Sequence, residues 1–270
     1  MKTKDTPKNK LLRAVIKIIV FALVLVAAAY LIVYFSGYRI VIFRSSSGET
    51  RFIGKTDKNR QPSVGNVYFA DGSKAKIDLT EKRIEYSDGS VYVGETSEFY
   101  PHGYGKLTFL SGEYYEGDFV YGQMTGYGVY VYASVIGDRY EGNMKNGKRS
   151  GQGKYTWADG SYYEGGFDND MKNGSGTYIW ADGSSYTGGY ADDVKNGKGV
   201  YEYANGDKYD GDFVNDVREG EGTYVWANGE SYTGRFKDDM MDGHGIYTWT
   251  TGRTYEGTFS ENRIVWDISK

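Results

Sequence analysis

The sequence predicts an all-β chain, an extended single-sheet antiparallel β-hairpin solenoid, preceded by one transmembrane α-helix. Three observations predict it. An uncharged apolar run fills residues 18–38. A tyrosine then returns at a nearly constant interval of 23 residues. Around each tyrosine, glycines and a second aromatic residue keep fixed offsets while most other positions vary. Internal self-similarity at such a period is the mark of a repeat architecture, in which each unit buries its apolar face on its neighbours.

Composition agrees. The 270 residues include 39 Gly and 28 Tyr but only 3 Pro and no Cys. Disordered chains lack aromatics, so glycine together with tyrosine points to strands joined by tight turns. Without cysteine there is no disulfide framework, no Cys-ligated metal and no thiol nucleophile. The net charge of −4 is unevenly spread. Residues 1–17 hold Lys2, Lys4, Lys8, Lys10, Arg13 and Lys17 against Asp5 alone, and the remainder carries 26 basic and 35 acidic side chains, a net of −9. That bulk repels nucleic acid and disfavours lipid headgroups as a partner of the repeats.

The first element is the run "IKIIVFALVLVAAAYLIVYFSGY", quoted from Ile16. Its 21 uncharged residues make a helix of about 31 Å, the thickness of a bilayer core. A cleaved signal peptide is the rival, since Ala27-Ala28-Ala29 offers a small-residue cleavage site. The apolar run continues past it through Leu31, Ile32, Val33, Tyr34 and Phe35, which favours an uncleaved, single-pass anchor. The six Lys/Arg before the span exceed the four in residues 39–55, so the basic tail 1–17 is expected in the cytoplasm and the C-terminal domain outside it. Residues 39–51 read as a linker.

The repeat follows. Taking the Tyr of each Y-x-G as position 1, the units begin at Tyr92, Tyr115, Tyr140, Tyr163, Tyr186, Tyr209, Tyr232 and Tyr255, with one interval of 25 residues that carries its extra pair at Val135-Ile136. Position 3 is always Gly, and seven units share a later G-x-G pair, such as Gly174/Gly176, Gly197/Gly199 and Gly220/Gly222. Two worn units precede these in residues 52–91, the first of them aligning Phe52, Gly54, Gly65, Phe69 and Gly72. End units present one face to solvent, so departures are expected there. Residues 267–270 are left as a C-terminal tail.

Each unit reads as two short strands, for example "YEGGF" and "GTYIW". Side-chain parity chooses the turn between units. A two-residue Asp-Gly turn would put Tyr163 on the face opposite Trp157. A three-residue Ala-Asp-Gly loop with a left-handed Gly pairs Tyr155 with Tyr163 and Trp157 with Ser161. The second register puts Tyr155, Trp157, Tyr163, Gly165 and Phe167 on one face and Lys154, Thr156 and Glu164 on the other. Gly153 then faces Gly165, and the missing side chains leave room for a ring to lie flat. Eight such units would span roughly 80 Å.

The motif "YEGGF…GSGTYIWADG" resembles the MORN repeat family, whose pattern is Y-x-G-x-W, a further Gly, then G-x-G. The resemblance is close over 92–266 and weaker over 52–91. It departs at position 5, which is Phe, Met or Tyr (Phe119, Met144, Tyr190), and at position 8, which is mostly Asp (Asp170, Asp193, Asp216, Asp239). Asp accepts that turn less freely than Gly. The resemblance implies a non-catalytic module that binds proteins or associates with membranes. In some such families the repeats accompany lipid-kinase or methyltransferase domains; here they run almost to Lys270, and no enzyme is expected.

No residue constellation implies catalysis, a cofactor or a metal. His102 and His244 are expected in connecting loops beside the G-x-G pairs. Acidic groups near positions 6 to 8 (Asp168, Asp192, Asp238) are turn formers or weak Ca²⁺ ligands, without a full ligand set. The candidate interaction face is the aromatic stripe Tyr155, Trp157, Tyr163, Tyr178, Trp180, Tyr186, Tyr224, Trp226, Tyr232, Tyr247 and Trp249, expected to be partly open because a single sheet has no second layer. Gly165, Gly174, Gly176, Gly188, Gly197, Gly199, Gly220 and Gly222 are expected to be structural. The partner is expected to be an unidentified protein; carbohydrate stacked on the stripe is the alternative, and the bilayer is met through the N-terminal helix. For the anchor, intact mass of the membrane-extracted protein should match the uncleaved chain; a mature chain beginning at Tyr30 would overturn it.

Overall fold

The computed structural model describes residues 7–45, 48–133 and 137–266. The first six residues of the basic tail, the Val135-Ile136 insertion and the tail 267–270 lie outside them. The chain forms two compact units that divide between Phe99 and Tyr100.

The first unit opens with helix α1 (Pro7–Phe35). It begins earlier than the apolar run because Lys8, Lys10, Arg13 and Lys17 are good helix formers and Pro7 suits a first helical position. It ends three residues sooner than residue 38. The Ser36 hydroxyl donates to the Val33 carbonyl at 2.7 Å, and Gly37 takes the left-handed conformation that closes helices. Within it, Leu11–Phe35 is long and apolar enough to cross a membrane, with a mean hydropathy of 2.9 and none of its most apolar window buried.

Strands β1 (Tyr38–Ser45), β2 (Gly48–Thr56), β3 (Pro62–Tyr68), β4 (Lys74–Asp78), β5 (Arg83–Tyr86) and β6 (Val91–Ser97) follow, each paired antiparallel with the next. The expected linker 39–51 is therefore β1 and the start of β2. The alternation in "YRIVIFRS" was masked by the lack of repeat glycines around it. Phe52 stands where later units have tyrosine, fully buried over Gly54 and Gly65.

The second unit is a meander of β7 (Tyr100–Thr108), β8 (Tyr114–Val120), β9 (Gln123–Val131), β10 (Arg139–Lys145), β11 (Lys148–Thr156), β12 (Tyr162–Asp168), β13 (Met171–Ile179), β14 (Ser185–Ala191), β15 (Val194–Glu202), β16 (Lys208–Val214), β17 (Val217–Val225), β18 (Ser231–Lys237), β19 (Met240–Thr248), β20 (Thr254–Ser260) and β21 (Arg263–Ile264). Pairing is antiparallel throughout. The parity argument holds: Tyr155 faces Tyr163 and Gly153 faces Gly165. The Trp157 N–H donates to the Ser161 carbonyl at 2.9 Å, and Gly160 at φ 87° closes the loop. Asp159 fixes it further, accepting from the Ser161 N–H and hydroxyl, and these bonds hold its carboxyl below the usual carboxylate range.

The other turn of each unit is tighter. Asn169 and Asp170 have φ of 49° and 75°, the positive pair a type I′ hairpin requires. Just before it, the β12–β13 register slips between Gly165 and Phe167. This bulge recurs in β14–β15, β16–β17 and β18–β19.

The glycines divide into two kinds. Gly174 has φ 83° with open space where a side chain would stand. Gly176 is extended, but a Cβ there would meet the Tyr163 ring carbon Cζ at 2.6 Å; one on its partner Gly165 would meet the Gly176 Cα at 2.5 Å. The ring of Tyr163 thus covers the pair Gly165–Gly176, across the tight hairpin, and not the pair Gly153–Gly165. Replacing Gly176 by Val should cost about 3 kcal/mol, the upper end of overpacking. Gly174→Ala should cost about 1–2 kcal/mol from its dihedral alone. Chemical unfolding of both variants measures this, and equal losses would disprove the distinction.

Candidate functional site

One face of the second unit carries two parallel rows of rings and a row of cations. The inner row is the core. Tyr115, Tyr140, Tyr163, Tyr186, Tyr209 and Tyr232 are wholly buried, as is Tyr92 in the first unit. Each second-unit ring stands edge-on to the position-5 ring of its own unit or of the next. Tyr163 lies 5.1 Å from both Phe167 and Tyr190, and Tyr186 lies 5.3 Å from Tyr190 and 5.1 Å from Phe213. Each phenol donates to the carbonyl three residues on, which the bulge leaves free: Tyr163 to Gly166, Tyr186 to Gly189, Tyr209 to Asp212 and Tyr232 to Arg235, all at 3.0 Å.

The outer row is a continuous chain of half-buried rings. Trp157 lies 4.7 Å from Tyr155 and 4.9 Å from Tyr178; Trp180 lies 4.4 Å from Tyr178 and 5.1 Å from Tyr201. It continues through Tyr203, Tyr224, Trp226 and Tyr247 to Trp249. Three hydroxyls of this row are tied to acids of the preceding loop, Tyr155 to Asp138 at 2.8 Å, Tyr224 to Asp207 at 2.6 Å and Tyr247 to Glu230 at 2.7 Å.

The expected stripe is thereby split. Tyr155, Tyr163, Tyr186 and Tyr232 are buried and cannot meet a partner. Trp157, Tyr178, Trp180, Tyr224, Trp226, Tyr247 and Trp249 are half-buried and remain candidates. A single sheet does bury large rings completely, because the next unit's position-5 side chain supplies the cover that a second layer would give. Of the glycines, Gly165, Gly176, Gly188, Gly199 and Gly222 lie under tyrosine rings, while Gly174, Gly197 and Gly220 have positive φ.

Between the two rows run Arg149, Lys172, Lys195 and Arg218, at the same position of four successive units. Lys172 Nζ sits 5.3 Å from the Tyr178 ring and 5.2 Å from that of Tyr190. Arg218 Cζ is 5.2 Å from Tyr224 and 5.5 Å from Phe236. These are cation–π distances. Arg149, Lys195 and Arg218 also meet the position-8 Asp of the next unit. Arg149–Asp170 is 3.2 Å and Arg218–Asp239 3.0 Å. The position-8 carboxylates accept backbone N–H groups 21 residues earlier, Lys172 to Asp193 at 2.8 Å and Lys195 to Asp216 at 2.9 Å. Position 8 is thus more than an imperfect glycine: its carboxylate brackets neighbouring hairpins. Burial among rings pushes the Lys172 ammonium below its ordinary pKa, with Asp193 opposing. The sequence signal for this row was legible as four basic residues at one repeat position, but their acid partners are 21 residues away.

The trough is shallow. At one end Arg218, Tyr224, Trp226, Phe236 and Met241 line a hollow of about 290 Å³. His102 and His244 lie in β7 and β19, not in connecting loops. His102 is half-buried with Nδ1 unpartnered, and His244 is exposed, 3.8 Å from Glu256.

The MORN repeat family model matches residues 100–114, 115–134, 140–162, 163–185, 186–208, 209–231 and 232–252, more than half of the chain. Comparison with curated proteins gives no match. Among solved structures, the SAS-4 (dCPAP) TCP domain of Drosophila melanogaster, in complex with a proline-rich motif of Ana2 (dSTIL), is 18% identical, with 74% of this chain and 95% of that one covered and a TM-score of 0.34. The TCP10 domain of Danio rerio CPAP is 12% identical, with 82% and 94% covered and a TM-score of 0.33.

Burial raises the phenol pKa values of the inner row. Tyr115, Tyr163, Tyr186 and Tyr232 are pushed up to about 12, chiefly by desolvation, with nearby acids adding to it. A folded pKa above the ordinary 10 means these groups stabilise fully below pH 10 and cease to do so as pH rises through about 12. The β circular-dichroism signal should therefore be lost in one cooperative transition between those limits, together with the last phase of phenolate absorbance. Phenolate absorbance that is complete while the β spectrum is intact would contradict the burial.

Proposed function

The chain belongs to the MORN-repeat family, and from that premise we propose that it is a membrane-anchored, non-catalytic scaffold whose half-buried aromatic row receives a protein partner. The observation that carries the reading is the continuous outer row itself. Ten rings from Tyr155 to Trp249 touch in sequence; Tyr155 is buried and serves as support, and the other rings are still partly open to solvent. Amphipathic rings of this kind dominate protein interfaces, where area is buried at low entropic cost. The row runs across successive units, so an extended partner segment matches it better than a compact ligand. Carbohydrate stacking needs open ring faces, and here neighbouring rings tilt against one another with centroids 4.2–5.9 Å apart, so each ring takes up part of its neighbour's face. That geometry favours a protein partner over a sugar.

The anchor is α1, with residues 1–17 cytoplasmic and the repeats outside the cytoplasm. Its support is the apolar stretch Leu11–Phe35 and the excess of basic residues before it. The non-catalytic reading rests on thin chemistry: no cysteine, and two histidines in separate repeats. The test is affinity capture from native membranes with the full chain and with a W180A/W226A double variant, proteins being quantified in both. Partners retained by the parent should fall at least about tenfold with the variant while its β spectrum persists, since truncating an aromatic anchor typically removes 2 kcal/mol or more. An unchanged set of partners would remove the outer row from the function.

A further inference from the structure

The first unit contains an interface the repeats do not explain. Strand β1 pairs on one side only, with β2. Among the described residues nothing pairs with its other side. Its eight pairs run without a register shift and it contains no proline. Proteins normally blunt such an edge with a short strand, a bulge or a proline. The far edge of the second unit follows that rule, since β21 has two residues. On β1, Tyr38, Ile40 and Ile42 share a face and are 44%, 66% and 46% exposed. Two residues, Ser36 and Gly37, separate this strand from the membrane helix.

We propose that β1 pairs antiparallel with β1 of a second copy of this chain, joining two protomers edge to edge beside the membrane. Backbone parity sets the register. The Thr56 N–H donates to the Gly37 carbonyl at 3.2 Å, so this is a hydrogen-bonded pair of the β1–β2 ladder. Alternation then turns the backbone groups of Arg39, Val41 and Phe43 towards β2 and those of Tyr38, Ile40, Ile42 and Arg44 outward. A second β1 that uses all four outward residues has one register. Ile40 lies opposite Ile42 of the second copy, Tyr38 lies opposite Arg44, and Val41 faces itself on the two-fold axis.

The side chains are complementary in that register. Two Ile–Ile contacts form the middle, and a guanidinium meets an aromatic ring at each end. Among the described residues Arg44 is held by an exposed 3.6 Å contact with Glu49, which it can exchange for the ring. The Arg39 guanidinium, which donates to the Tyr38 carbonyl at 2.8 Å, must give up that bond for the outermost pair to close. The local two-fold of an antiparallel pair is normal to the sheet, so two copies in one bilayer place that axis along the membrane normal. Confinement to a bilayer also raises the effective concentration of the second copy.

The chain has no cysteine, so a single introduced thiol reports the register. In a non-hydrogen-bonded antiparallel pair the Cα atoms stand about 4.5 Å apart, within disulfide reach. Full-length V41C in lipid nanodiscs should oxidise to a covalent dimer. The same thiol in an I40K/I42K background should lose at least about tenfold of that product, with unchanged β spectrum and melting. Light scattering should give two chains per particle for the parent and one for I40K/I42K. A parent that scatters as one chain overturns the proposal. So does V41C that stays monomeric while A28C cross-links, which would assign association to the helix, or a particle of one chain plus a foreign protein. None of these outcomes depends on the aromatic row.

Discussion

The structure depends on one contact, a tyrosine ring lying flat on a pair of facing glycines. Any Cβ on Gly165 or Gly176 would occupy the space of the Tyr163 ring or of the opposing backbone. With the ring flat, its hydroxyl reaches past the pair to a carbonyl that β pairing would normally consume. The bulge after Gly165 frees that carbonyl, and the buried phenol is satisfied. Leaving it unsatisfied would cost about 1–3 kcal/mol. Burying the ring contributes about 1.5–3 kcal/mol. Glycine pair, bulge and phenol therefore act as one device in the repeats, although the worn unit uses its glycine pair under Phe52 with no phenol.

The second consequence is between units. A ring pressed onto its own hairpin offers its edge to the position-5 side chain of the next, so Phe167, Tyr190, Phe213, Phe236 and Phe259 wedge between successive tyrosines. The layer is closed by sequence neighbours alone. Stability then accumulates by nearest-neighbour terms, as in other one-dimensional repeats. The Asp brackets at position 8 act at the same joints from the side of the turn. They also hold Arg149, Lys195 and Arg218 against the rings, so that cations half-buried in an aromatic trough carry their own counter-charge.

Much of this was legible in the sequence because parity is strict. A strand's side chains alternate with period two, so the spacing of Tyr155, Trp157 and Tyr163 selected the loop length and with it the register of the meander. Burial was not legible. It depends on a position-5 ring 27 residues after the tyrosine it covers, and reading one hairpin at a time made Tyr163 look half-open. Position 8 is similar: as a turn residue Asp193 is a poor glycine, whereas across the joint its carboxylate accepts from the Lys172 N–H. The strand at 38–45 is not legible by the repeat pattern, because it contains none of the repeat glycines that mark strands elsewhere and the worn end of the array has few of them.

The repeated units also serve as an internal comparison, and their variation separates stability from recognition. Position 1 is tyrosine in all eight units from Tyr92 to Tyr255. Phenylalanine would fill the same space, as Phe52 does in the worn unit, but it could not satisfy the carbonyl freed by the bulge. The residue just before the Ala-Asp-Gly-type loop, by contrast, is Phe109, Tyr132, Trp157, Trp180, Tyr203, Trp226 or Trp249. Any flat ring maintains the outer row there, since the contact needed is ring on ring and no buried hydrogen bond is fixed. The inner ladder thus leaves evolution almost no choice of side chain. The outer row leaves a choice among three aromatic residues of different area and polarity at every 23-residue step, and that freedom is what a recognition surface laid over a fixed core requires.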